Sequence, residues 1–300
     1  MTHVPRLFVP AITPFHADLT LDLPRLVAFG RHLIAEGADG LAPFGTTSEA
    51  ASLSVDERMR GLEALIAGGV APERLIPGTG CAALPDTIRL TTHARALGVR
   101  GVLMLPPFYY KPLSSEGLFA SYARVVEAVG LGLRIYLYHI PQMTGVPITA
   151  DLIGRLDAAF PGVIAGLKDS SGNWDNTAAL IAAFPHLEFY SASEALLPRN
   201  VAAGGAGCIS ATANVNPAGI AALIRALGTG AEAQALARAE AARSAFEKLP
   251  LIPAVKAVVA LQMGDPGFAH VRPPLIAPPP PLEAAIKEAA ALCNGVHALV

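Results

Sequence analysis

Val163-Ile164-Ala165-Gly166-Leu167-Lys168 is a short apolar run that ends on a lysine. Read as a strand, it places Lys168, Gly166 and Ile164 on one face and Leu167 and Ala165 on the other. It is the sixth of eight such runs. The others are Leu7–Thr13, Gly40–Pro43, Leu75–Thr79, Gly101–Leu105, Arg134–His139, Leu187–Ser193 and Gly207–Ser210. Helix-like stretches separate them: Leu23–Ala35, Val55–Ala67, Asp86–Ala96, Ser115–Ala128, Ala150–Ala159, Asn176–Phe184, Glu194–Ala203 and Pro217–Leu227. Ser54-Val55-Asp56-Glu57 reads as a capping box at a helix start.

Strands alternating with helices imply parallel βαβ units. Eight of them in about 230 residues match a (β/α)8 TIM barrel. The alternative is a doubly wound sheet, which usually needs fewer units and a ligand loop at a switch point. No G-x-G-x-x-G follows the first run. Beyond Leu227 the strands stop. Glu232–Phe246, Ala254–Gln262 and Leu282–Cys293 read as helices, and the proline-rich Arg272–Pro281 precedes the last of them. The expected organisation is a barrel over residues 1–228 and a helical appendage over 229–300 packed on it.

Composition narrows the class. The chain has 300 residues, 52% hydrophobic and 15% charged, which is ample for a large core. The formal net charge is −2 with no basic cluster, so no nucleic-acid partner is expected. Three widely spaced cysteines, Cys81, Cys208 and Cys293, give no disulfide framework or zinc spacing and suit a reducing cytoplasm. No secretory signal is expected at the N-terminus, and no long unbroken apolar run suggests a membrane span.

In a barrel of this kind functional groups sit at the C-terminal ends of the strands. The chain has five lysines, and four of them, Lys111, Lys248, Lys256 and Lys287, fall in loops or on helices where a solvated charge is expected. Lys168 ends a strand. If Leu167 and Ala165 face the outer helices, Lys168 points into the barrel mouth. Desolvation there would favour the neutral amine, a nucleophile for ketones. The competing reading is a buried lysine paired with a carboxylate such as Asp169. Tyr138 lies at the end of the fifth run, one residue before His139, sharing a face with Tyr136, and is either a proton shuttle beside Lys168 or an aromatic filling the barrel. The loop Gly45-Thr46-Thr47-Ser48-Glu49 offers hydroxyls and N–H groups that suit a carboxylate, or it is an ordinary capped connection. Pro107-Phe108-Tyr109-Tyr110 places adjacent aromatics in a proline-bounded loop, as in a pocket wall or a subunit interface.

Together these motifs resemble the dihydrodipicolinate synthase/N-acetylneuraminate lyase family of pyruvate-dependent class I aldolases. Gly45-Thr46-Thr47-Ser48-Glu49, Pro107-Phe108-Tyr109-Tyr110, Tyr138-His139-Ile140-Pro141, Gly166-Leu167-Lys168-Asp169 and Gly207-Cys208-Ile209-Ser210 occur in the family's order, and the resemblance runs from Pro10 to about Pro274. It implies that Lys168 forms an imine with pyruvate or another 2-oxo acid and that Tyr138 relays protons. It implies that Thr46 links Tyr138 to a Tyr109 from a neighbouring subunit, that Thr47 binds the carboxylate and that the Ile209 carbonyl lines the site. It further implies a homotetramer built as a dimer of dimers, without metal or organic cofactor.

The chain departs from the synthases at Met143, where they carry an arginine for the carboxylate of aspartate semialdehyde. A thioether cannot replace a bidentate guanidinium. His139 stands where an asparagine is usual. Val55, Arg58 and Ala82 stand where lysine-inhibited synthases carry His, His and Asn, so lysine feedback is not expected. His139, Ser193 and Glu194 are candidates for substrate contact; Glu194 could instead cap the next helix. The expected activity is reversible aldol cleavage of a 2-oxo-3-deoxy (hydroxy) acid to pyruvate and an aldehyde. The alternatives are dihydrodipicolinate synthase itself and a catalytically silent binding barrel.

Overall fold

Lys168 is the fifth residue of a six-residue strand, and that strand lies inside a curled parallel sheet with a neighbour on either side. The computed structural model of the chain describes residues 3–294. Among the described residues there are seven strands: β1 (Arg6–Val9), β2 (Gly40–Leu41), β3 (Val102–Met104), β4 (Ile135–His139), β5 (Ile164–Asp169), β6 (Glu188–Ser191) and β7 (Gly207–Cys208). They pair in the order β2-β1-β7-β6-β5-β4-β3. The expected strand Leu75–Thr79 is reduced to isolated parallel bridges at Leu75 and Gly78. Pro77 has no N–H to give the ladder. The segment still closes the cylinder between β2 and β3. Ile76 N–H donates to Leu41 O, and Thr79 N–H donates to Leu103 O, each at 2.9 Å. The fold is the (β/α)8 barrel.

The helices pack outside for the usual reason, an apolar stripe at helical spacing. Leu23–Ala35 buries Leu26, Phe29, Gly30 and Leu33. The capping box before Val55–Ala67 is complete, with Glu57 N–H on Ser54 Oγ at 3.2 Å and Ser54 N–H on Glu57 Oε2 at 2.9 Å. The stretch Glu194–Ala203 is a 3-10 turn over Glu194–Leu196 followed by a short helix, Leu197–Ala202. Beyond the barrel lie the helices Glu232–Ser244, Leu251–Met263 and Glu283–Asn294. The first ends at Ser244, short of the expected Phe246, which sits in the following turn. Ala239, Val255, Val258 and Ala289 of these helices, with Phe246, belong to the same apolar cluster as Leu26, Phe29 and Ile220 of the outer barrel layer.

Inside the barrel a second cluster gathers Phe8, Ile76, Leu103, Tyr136, Tyr138, Ala165, Tyr190 and Ile209. Here strict alternation in β5 fails. The register with β4 slips between Ile135 and Tyr136, pairing Ile135 with Ile164 but Tyr136 with Gly166. The extra residue, Ala165, turns into the barrel, and Ile164 joins Leu167 in the outer cluster. A bulge reverses the facing of the residues before it and leaves those after it in place. Ile164 therefore does not share a face with Lys168, whereas Lys168 still points inward.

The barrel floor is a polar knot. Glu188 accepts from Tyr190 OH at 2.7 Å, Tyr136 OH at 3.0 Å, Arg100 Nη2 at 3.0 Å and Arg134 Nη2 at 3.1 Å. Burial alone would raise this carboxyl, but the Tyr190 and Arg100 donors outweigh it and hold it below the usual range.

Candidate active site

Tyr138 and Lys168 are register partners across β4 and β5, each one residue from its strand's C-terminal end. Both side chains are buried, and Lys168 Nζ donates to Tyr138 OH at 3.2 Å. Tyr138 OH in turn donates to Thr46 Oγ1 at 3.3 Å. The amine also lies 4.2 Å from the centre of the Tyr138 ring. Burial pushes the Tyr138 phenol up. The Lys168 charge and hydrogen bonds with Thr46, Lys168 and Ser170 outweigh that and leave it below its ordinary value. Asp169 is not the partner of Lys168. It accepts from Thr177 Oγ1 at 2.6 Å and from Ser171 N–H at 2.7 Å.

The loop that brings Thr46 here is fixed from several sides. Phe44 and Glu49, at its two ends, hold left-handed backbone with φ of 60° and 58°. Such strain costs about 1–3 kcal/mol per non-glycine residue and persists only where surroundings enforce it. Ser48 Oγ donates to Ala11 O at 2.6 Å, and Thr13 Oγ1 donates to Ser48 O at 2.7 Å. The Glu49 carboxylate accepts from Lys256 Nζ at 2.5 Å and from Arg272 N–H at 2.9 Å. Lys256 is fully buried, contrary to the expected solvated charge. The signal was in the sequence. Leu251–Met263 is apolar all round with one charged residue, and a buried helix of that kind must find its lysine a carboxylate.

A cavity of about 340 Å³ opens above Lys168. Thr46, Thr47, Tyr138, Lys168 and Ile209 line it, so five of the expected residues converge. Tyr109, His139, Ser193 and Glu194 do not line it. Tyr109 is 76% exposed and packs edge-on against Tyr110 at 5.5 Å. His139 is buried, and its Nδ1 accepts the Ile148 N–H at 3.0 Å; burial holds its pKa below the usual value. Ser193 N–H bonds Ser191 Oγ at 3.1 Å, closing a local turn. Glu194 stands behind the wall, fully buried, and does not cap the following helix. It accepts from Ser210 Oγ at 2.6 Å, Arg243 Nη1 at 3.1 Å and Thr212 Oγ1.

Sequence reasoning missed Gln142, Ser170, Thr212, Arg243 and Phe246 in the wall. Arg243 carried a faint signal. Ala239 and Ala242 mark the buried edge of its helix at helical spacing, Phe246 follows buried in the turn after it, and Arg243 sits beside them. Among the described residues no group of three or more His, Cys, Asp and Glu is placed to hold a metal ion, and no helix is long and apolar enough to cross a membrane.

An inward lysine beside a phenol stands at the C-terminal mouth of a (β/α)8 barrel, the end where barrel enzymes carry their chemistry. The chain belongs to the dihydrodipicolinate synthetase family, whose profile matches residues 3–288, and is a class I pyruvate-dependent lyase of that family. It is 39% identical over 277 residues to a DapA-like lyase of Chloroflexus aurantiacus, covering 91% of each chain. Dihydrodipicolinate synthase from Agrobacterium tumefaciens superimposes with a TM-score of 0.86 at 34% identity, covering 97% of this chain and 98% of that one. YagE of E. coli K12, a family member solved in complex with pyruvate, gives 0.87 at 26% identity and 99% of both chains.

Proposed function

We propose that Lys168 attacks the C2 carbonyl of pyruvate or a related 2-oxo acid to form an imine, and that the reaction is reversible aldol cleavage of a 2-oxo-3-deoxy (hydroxy) acid. The observation that carries this reading is the continuous chain Lys168 Nζ, Tyr138 OH, Thr46 Oγ1 at the base of the cavity. Attack by the amine and loss of water give an iminium on Nζ. As the C3–C4 bond breaks, its electron pair flows into the iminium to give an enamine, and the C4 hydroxyl proton passes to Tyr138 as the aldehyde leaves. The enamine takes a proton at C3, and water releases pyruvate. The lowered Tyr138 phenol suits this shuttling. Thr47 and the loop N–H groups hold the substrate carboxylate, and the Ile209 carbonyl lines the pyruvate pocket.

Tyr109 completes the relay in this reading from a neighbouring subunit of a homotetramer. Its exposure at a loop tip leaves it free to reach another chain. The free thiols Cys81, Cys208 and Cys293 suit work in the cytoplasm.

Incubation with pyruvate, borohydride reduction and peptide mass spectrometry tests the proposal. An adduct on Lys168 supports it, and a folded protein without adduct removes it. The second reading, condensation of pyruvate with aspartate semialdehyde, is favoured by the likeness to the Agrobacterium synthase. It lacks the usual arginine: Met143 stands at that position, exposed and outside the cavity.

A further inference from the structure

The cavity has a polar base at Lys168 and a guanidinium at its mouth. We propose that Arg243 is the specificity-determining residue for the distal end of the substrate, and that this end carries an anionic oxygen group. The inference rests on the imine reading of Lys168. It names the class of aldehyde released, one with an acidic terminus.

The argument starts from Glu194, whose carboxylate is fully buried. A buried carboxylate is costly unless it is paired and its lone pairs are satisfied. Here Ser210, Thr212 and Arg243 Nη1 satisfy it. The arrangement gives Arg243 a fixed anchor on one side. Nη1 is its one engaged nitrogen, and among the described residues Nε and Nη2 make no hydrogen bond. The side chain is 35% exposed and lines the same cavity as Lys168. A guanidinium held by one nitrogen with its other donors open is suited to bind a carboxylate or phosphate oxygen.

The rest of the mouth does not supply this function. Ile140, Phe246, Leu249 and Leu251 give apolar walls. Glu247 also lines the rim, but it is exposed, so water screens it. Because Glu194 balances the charge of Arg243, recognition comes from directed N–H donors more than from net potential. A cation on the C-terminal helical segment thus stands at the mouth of a chain that has methionine at the usual arginine position.

The test needs no knowledge of the natural aldehyde. Trapping on Lys168 by borohydride is titrated with 2-oxoglutarate against 2-oxopentanoate, and with 2-oxoadipate against 2-oxohexanoate. Each pair differs in whether the chain ends in carboxylate or methyl. In at least one pair the carboxylate-ended acid is expected to half-saturate at a concentration about tenfold or more lower, the scale of one charge-assisted contact. Arg243→Gln is expected to abolish that preference and Arg243→Lys to keep part of it. Should Arg243→Gln fold poorly with Glu194 left unpaired, Glu194→Gln/Arg243→Gln removes both charges and is expected to show the same loss. A general packing defect would weaken both acids of a pair alike. Equal trapping within both pairs in the unmodified protein, or a preference that survives without Arg243, would overturn the inference while pyruvate still labels Lys168. Absence of any pyruvate adduct would remove the imine reading and this inference with it.

Discussion

Lys168 Nζ and Tyr138 OH stand 3.2 Å apart because their residues are register partners on adjacent parallel strands. A proton can therefore move between the amine, the phenol and Thr46 without rearrangement of the backbone. Tyr138→Phe keeps the ring and removes the relay. It is expected to leave borohydride trapping of pyruvate on Lys168 detectable while turnover falls about 10²–10⁴-fold, the range of positioned acid–base groups. Stopped-flow or coupled assays of pyruvate release, beside the trapping yield, check it. Equal losses in both would assign Tyr138 to packing alone.

The buried pair Lys256–Glu49 joins the helix Leu251–Met263 to the Thr46–Thr47 loop. Removing one partner leaves the other charge unpaired in the interior, which costs about 3–5 kcal/mol. Lys256→Met is expected to lose stability on that scale in urea melts and to lower turnover through the loop. Burial pushes the Lys256 amine down to about 8 from 10.5, against the pull of Glu49. Between those values the unfolded chain holds a proton that the folded chain has released, so stability rises with pH across that window. The difference between Lys256→Met and the parent should therefore widen from about pH 8 to 10.5. A constant difference would show that the amine stays charged.

Gly166 on β5 pairs with Glu188 on β6. A Cβ there would overlap the Glu188 carbonyl oxygen and sit 2.7 Å from its carbonyl carbon. Backbone, not a flexible side chain, is in the way. Gly166→Ala is expected to cost about 3 kcal/mol or more, at the upper end of overpacking effects. It should also disturb the knot of Tyr136, Tyr190 and Arg100 on Glu188. A melting temperature within a degree of the parent would contradict the close approach.

The barrel and its lysine were legible in the sequence because each strand carries its own period, and Lys168 and Tyr138 both stand at the penultimate positions of their strands. The same logic failed at Ala165, since a single extra residue in a strand leaves no mark in composition and is fixed by pairing with β4. The third stave was legible as apolar, yet Pro77 breaks its ladder. Arg243 was hidden for a different reason. Its partner Glu194 lies 49 residues away, and only the fold brings the two together. Thr46 was readable as a hydroxyl in a loop, whereas the strain at Phe44 and Glu49 that aims it needed the structure.

Tyr109 is the residue on which the proposed assembly can be tested. The ring is 76% exposed, outside the cavity, and packs edge-on against Tyr110. If it completes the relay in a neighbouring subunit, Tyr109→Phe lowers turnover without weakening the fold. Activity per chain should then fall on dilution through the concentration at which sedimentation shows the assembly dissociating. Mixing Tyr109→Phe with Lys168→Ala offers a sharper check. Each variant alone is expected to have little activity, whereas mixed assemblies bring an intact Tyr109 to an intact Lys168 and recover part of it. Recovery on mixing requires that the two residues act across an interface. Its absence, with mixed assemblies demonstrated by mass, would return Tyr109 to the role of a surface aromatic.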